Sequence, residues 1–125
     1  DEVATAVFDL CRQMGKVPVM CKDSPGFIVN RVARHFYLES LKIAEEGIAS
    51  FEDIDTILEA TGFKMGPFKL MDLIGMDINL AVTESMYRSF DGAARFAPSP
   101  LQIEKVKNKA LGKKTGKGFY NYDSK

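Results

Sequence analysis

Asn30 lies in the run Lys22-Asp23-Ser24-Pro25-Gly26-Phe27-Ile28-Val29-Asn30-Arg31, about one turn inside the helix that the Pro-Gly turn introduces. Asn is a mediocre helix former, and its amide is costly among apolar neighbours unless both ends find partners. A primary amide can donate to a carbonyl oxygen and accept from an imidazole N–H, which is chemistry for holding a substrate. Periodicity alone favours a polar helix residue facing water. The second candidate is the basic tail Gly112-Lys113-Lys114-Thr115-Gly116-Lys117-Gly118-Phe119-Tyr120, from which Lys114 or a neighbour can reach an anionic or amide-bearing ligand. This tail is not a Walker A loop: Gly112 and Gly116 are too close together, and Gly118 stands where Ser or Thr is required. A free, solvated tail is the plain alternative, and the rings of Phe119, Tyr120 and Tyr122 weigh against it because they need an apolar anchor.

The remaining reactive side chains offer less. His35 is the only histidine, set beside Phe36 and Tyr37 in a helical pattern, and no Ser or Cys near it in sequence makes a nucleophile pair. Glu39, four residues on, can contact it, but exposed pairs of that kind are common and weak. Glu45 and Glu46 read as the wet side of the same helix. One histidine makes no metal site by itself, and Cys11 and Cys21, with nine residues between them, form neither a zinc pattern nor a CxxC pair.

These side chains have to be held by the elements around them. A chain of 125 residues is read as one main domain with a real core. Seventeen basic and seventeen acidic side chains cancel, so no global field favours nucleic acid or an anionic membrane. Beyond Leu101, however, seven lysines face only Glu104 and Asp123. No apolar run is long enough to span a bilayer. The Cys-poor composition suits a reducing, cytoplasmic setting.

Val3, Ala6, Val7, Leu10, Cys11 and Met14 repeat at helical spacing, and Val17 to Cys21 reads as a strand kept to an edge by Pro18. That strand has no second strand to pair with. The chain also opens inside a helical pattern with no initiator Met, as a piece of a longer protein would. After the turn, a long helix is expected from Pro25, with Ser24 as cap, to Gly47. A second starts at Ser50 with Asp53 and closes at Gly62, and a third runs from Pro67 to Gly75. A fourth is capped by Asp77, and a last runs from Ser99-Pro100 to Gly112. The fold class is therefore all-α, an antiparallel helical bundle preceded by one helix and one short strand. Apolar residues on more than one side of the long helix point to a homodimer. Met65, Met71, Met76 and Met86 fit either an adaptable pocket or core.

The Asn30 run, the word Met65-Gly66-Pro67-Phe68 and the Gly-Lys tail together resemble the C-terminal domain of the 3-hydroxyacyl-CoA dehydrogenases, a bundle of the 6-phosphogluconate dehydrogenase C-terminal kind. The resemblance runs from Lys16-Val17-Pro18-Val19 through the Pro-Gly-Phe-Ile-Val-Asn-Arg run and Glu45-Glu46-Gly47. It continues through Asp53-Ile54-Asp55 and Met65-Gly66-Pro67-Phe68, with Asp72 and Gly75, and closes on the Gly-Lys tail. It implies a two-domain enzyme whose N-terminal domain binds NAD and carries a catalytic His–Glu pair, neither of which has a counterpart here. Residues 1–22 would be the remnant of that NAD domain, and residues 23–125 the helical domain that closes over acyl-CoA and dimerises. By the same resemblance Asn30 supports the substrate carbonyl and the catalytic histidine, and Lys114 contacts the cofactor.

The implied reaction is oxidation of (S)-3-hydroxyacyl-CoA, short-chain such as 3-hydroxybutyryl-CoA, to 3-oxoacyl-CoA, with this chain inactive alone. The alternatives are a stand-alone acyl-CoA- or partner-binding module, or a dehydrogenase of phenylacetate-derived hydroxyacyl-CoA. A dehydrogenase of the 3-hydroxyisobutyrate or 6-phosphogluconate type shares the architecture but lacks the Pro-Gly-Phe-Ile-Val-Asn-Arg and Met-Gly-Pro-Phe words.

Overall fold

A computed structural model describes residues 1–122, and in it caps written into the sequence set several of the helix boundaries. The helices are α1 (Glu2–Gln13), α2 (Val29–Glu45), α3 (Phe51–Ala60), α4 (Pro67–Ile74), α5 (Met76–Ser89) and α6 (Pro100–Lys107), with single 3₁₀ turns at Ala94–Phe96 and Lys113–Thr115. Ser50 starts α3 by accepting the Asp53 N–H at 3.1 Å. Ser99 starts α6 as a capping box, its hydroxyl taking the Leu101 N–H while the Gln102 side chain takes the Ser99 N–H. Pro67 and Pro100 stand in the first turns of α4 and α6, where a missing N–H costs nothing.

The core is built from α2, α3, α4 and α5. Leu41, Phe68, Met71 and Met76 are fully enclosed, with Tyr37 and Ile54 almost so, and Phe96 is buried beside α2 and α5. Phe51, Phe68 and Phe119 form a three-ring cluster with centroids 4.7 to 4.9 Å apart in tilted and edge contacts. The third ring comes from the tail, which is therefore part of the core. Such pairs contribute about 0.5–1.5 kcal/mol each beyond the area they bury.

Four expectations need correction. Residues 17–21 form no strand, and no named strand occurs among the described residues. A strand is made by a partner's hydrogen bonds, none is offered, and Val17 is 92% exposed. The long helix begins at Val29 rather than Pro25, because Gly26 (φ 73°) and Phe27 (φ 48°) both enter the left-handed region and break the run. Phe27 holds that conformation at a cost of order 1 kcal/mol. Asn30 is thus the second residue of α2, not one turn inside it. Asp77 does not cap α5; Gly75 does, and Asp77 lies in the first turn. The last helix ends at Lys107, with Lys109 at φ 55° turning the chain toward the tail.

Candidate functional site

The turn that displaces the helix start also makes a groove. Phe27 N–H closes on the Ser24 carbonyl at 2.9 Å, and Asn30 N–H on the Gly26 carbonyl at 3.1 Å. The turn lies against α5, close enough that a Cβ on Gly26 would run into the Met86 sulfur. A groove of about 470 Å³ opens beside it, walled by Asn30 and Phe27 on one side and Ile78, Ala81, Val82 and Ser85 on the other. The Asn30 amide is exposed there and makes no side-chain hydrogen bond with the described residues. It is an unspent donor and acceptor facing a largely apolar wall. That arrangement can hold a carbonyl next to a hydrocarbon chain.

Lys114 stands on the 3₁₀ turn of the tail, and its Nζ meets Asp77 Oδ1 at 2.5 Å. The Lys114 bond is the main reason that the Asp77 carboxyl sits below its ordinary pKa. Both side chains are partly exposed, so the pair adds little stability and leaves ammonium donors free. Asp77 immediately precedes Ile78 of the groove. Asn30 and Lys114 do not touch, but the sequence neighbours Asp77 and Ile78 link them to one end of α5.

Two buried carboxylates fix the tail that carries Lys114. Asp72, 1% exposed on α4, accepts the Phe119 and Tyr120 N–H groups at 3.0 Å each and the Tyr122 hydroxyl at 3.0 Å. Asp55, fully buried on α3, accepts the Phe68 N–H at 2.9 Å, the Lys69 N–H at 3.0 Å and the Tyr120 hydroxyl at 2.7 Å. It therefore caps α4 from another helix and ties the tail to the same point. Burial first, then these carboxylates, push both phenols above the ordinary tyrosine pKa. Gly118 and Gly66 are required by close approach, since a Cβ on either would overlap Asp72 or Asp55. Lys105 completes the anchor by donating to the Gly118 carbonyl at 2.8 Å. The solvated-tail alternative is overturned.

His35 faces elsewhere. Its ring lies 5.2 Å from Phe96, and with Glu39, Lys42, Glu45 and Arg95 it lines a separate polar cavity. Cys11 and Cys21 are both free thiols, and no cluster of metal-ligating side chains occurs among the described residues. Met71, Met76 and Met86 are core, while Met65 lines a second, apolar groove of about 770 Å³ with Ile28, Val29, Val32, Phe36 and Phe63. The anchoring role of Asp55 and Asp72 was missed in the sequence. The available signal was an acid among buried apolar neighbours, with Asp72 directly after Met71 and four residues after Phe68.

The described residues thus form an all-α domain with a free amide over an apolar groove and a cation on a fixed tail. The family model for the 3-hydroxyacyl-CoA dehydrogenase C-terminal domain matches residues 26–122. The 3-hydroxyadipyl-CoA dehydrogenase of Escherichia coli (strain K12) is 48% identical over 122 residues, 97% of this chain and 26% of that protein. The mitochondrial hydroxyacyl-coenzyme A dehydrogenase of Rattus norvegicus is 43% identical over 118 residues, 94% of this chain and 38% of that protein. The crystal structure of 3-hydroxybutyryl-CoA dehydrogenase from Escherichia coli K12 superposes with a TM-score of 0.93 at 46% identity, covering 99% of this chain and 26% of that one. The chain belongs to the 3-hydroxyacyl-CoA dehydrogenase family and corresponds to its C-terminal domain. It spans between about a quarter and two fifths of the length of these relatives.

Proposed function

We propose that this chain supplies the far wall of the active site in an NAD-dependent 3-hydroxyacyl-CoA dehydrogenase and is inactive without its N-terminal NAD domain. The unpartnered Asn30 amide over the apolar groove carries the reading. On a bound 3-hydroxyacyl thioester, its NH₂ group donates to a substrate carbonyl while its oxygen accepts from the imidazole N–H of the partner domain's base. This orients the C3 hydroxyl for proton removal. NAD supplies the hydride acceptor for C3. The residues present fit one edge of such a cofactor and no more: Lys114 keeps free ammonium donors on a fixed tail, and no glycine-rich phosphate loop accompanies it. Ile78, Ala81 and Val82 hold the acyl chain away from water.

In the same proposal, residues 1–22 belong to the NAD domain. The exposed apolar side chains of Val3, Val7, Leu10, Val17 and Val19 support this. The groove around Val32 and Phe36 covers itself against a second copy of the helical domain. The substrate is a short-chain (S)-3-hydroxyacyl-CoA such as 3-hydroxybutyryl-CoA, the compound in the name of a close structural relative. A second reading, oxidation of a longer 3-hydroxyacyl-CoA such as 3-hydroxyadipyl-CoA, is supported by the 48% identity to a 3-hydroxyadipyl-CoA dehydrogenase.

The experiment is an assay of NAD reduction by the 125-residue chain and by its full-length parent, with 3-hydroxybutyryl-CoA and 3-hydroxyadipyl-CoA. The parent turns over and the isolated chain does not, and the ratio of kcat/KM for the two thioesters decides between the substrates. NAD reduction by the isolated chain overturns the proposal.

A further inference from the structure

Asn30 has to be held against α5 at a fixed distance, and one buried side chain spans that gap. Arg34 lies four residues after Asn30, one turn along the same side of α2. It is 3% exposed, and one guanidinium nitrogen donates to both the Asn79 carbonyl at 3.0 Å and the Thr83 hydroxyl at 2.9 Å, on α5. Its guanidinium carbon lies 4.8 Å from the centre of the Tyr37 ring. Gln102 of α6 ties the same two α5 residues, through the Asn79 side-chain oxygen at 2.7 Å and the Thr83 hydroxyl at 3.2 Å. No carboxylate among the described residues pairs with Arg34, and its Nε has no partner.

A buried cation without a counter-ion is a poor device for stability, since an apolar side chain of similar length fills the space without the desolvation cost. What the guanidinium provides that such a side chain cannot is a directional bond between two particular turns of two helices. Those helices are the walls of the groove: Asn30 from α2, and Ile78, Ala81 and Val82 from α5.

We propose that Arg34 is a positioning residue for Asn30, clamping the first turns of α2 onto α5 so that the amide stands at its working distance from the substrate. This rests on the role given to Asn30 above. The clamp acts on the chemical step and not on substrate capture, because the apolar wall stays in place without it.

A double-mutant cycle in the full-length parent tests this. Arg34→Met lowers kcat roughly tenfold with KM for the acyl-CoA within about twofold, as a misplacement well short of 1 Å would. Arg34→Lys, which keeps a donor toward the Asn79 carbonyl, recovers part of the loss. In an Asn30→Ala background, Arg34→Met costs less than about twofold more, because the group it positions is gone. If Arg34→Met does not fold, Arg34→Lys takes its place in the cycle. Equal losses in both backgrounds, or no loss, overturn the role of Arg34 while leaving that of Asn30. Unchanged kcat in Asn30→Ala alone overturns both.

Discussion

Replacing Asp72 by Ala should release the tail and take a large share of the domain's stability with it. The carboxylate accepts three hydrogen bonds from the tail: the N–H groups of Phe119 and Tyr120 and the hydroxyl of Tyr122. Bonds to a charged acceptor contribute about 1.5–3 kcal/mol each, but these donors are only part-buried and regain water when released. Taking about 1 kcal/mol for each gives a loss near 3 kcal/mol, and a limit of about 5 kcal/mol applies to breaking a buried ionic network. Against a total of roughly 5–15 kcal/mol, that is about a fifth to three fifths of the stability. The thermal midpoint should fall by roughly 10–25 °C. Urea unfolding at fixed protein concentration measures the energy, and limited tryptic digestion at Lys113, Lys114 and Lys117 reports the tail directly. Asp72→Asn, which keeps one acceptor oxygen, should fall between wild type and Ala. A loss under about 0.5 kcal/mol with the lysines still protected would refute the assignment of Asp72 as the tail's anchor.

The remaining predictions concern pH, the N-terminal segment and self-association. The Tyr120 and Tyr122 phenols are held above the ordinary tyrosine value, mainly by burial and then by their bonds to Asp55 and Asp72. Above about pH 10 the unfolded chain releases protons that the folded one keeps, so stability falls as pH rises through that point. Urea midpoints should show this decline, and a double Tyr120→Phe, Tyr122→Phe variant should lose part of it; an identical slope contradicts the cause. Deletion of residues 1–22 should leave helical circular dichroism and the midpoint of the bundle nearly unchanged, because no residue of α1 is buried. A large drop would mean that α1 supports the core. Val32, 68% exposed in the apolar groove, becomes an unpaired charge in Val32→Asp, which should weaken self-association at least about tenfold by sedimentation. A wild-type chain that is monomeric at high concentration contradicts the dimer.

Helix existence was legible because Ser50, Pro67, Ser99 and Pro100 carry their cap chemistry within a few residues, and local chemistry is what a sequence displays. The start of α2 was misplaced for the opposite reason. Pro25 after Ser24 is a good helix opening, and only contact of the turn with α5 reveals why Gly26 and Phe27 leave helical space. The expected strand failed on partnership, since Val17 to Cys21 has the right residues but no neighbouring edge. Asn30 and Lys114 were singled out through motif words rather than periodicity. Arg34, Asn79, Thr83 and Gln102 were invisible because they sit on three helices far apart in sequence and become a network only when α2, α5 and α6 meet. The Asp72 clamp, between residues nearly fifty apart, was hidden in the same way.

The most direct test of the account is kcat for Asn30→Ala and Asn30→Asp in the full-length parent, with 3-hydroxybutyryl-CoA and NAD and with the thermal midpoint measured alongside. The account predicts a fall of roughly a hundredfold or more in kcat, the scale of losing one preorganised hydrogen-bond donor, with the midpoint unchanged. Wild-type kcat in both variants would contradict it and leave this domain a part in closure and assembly without a hand in the chemistry.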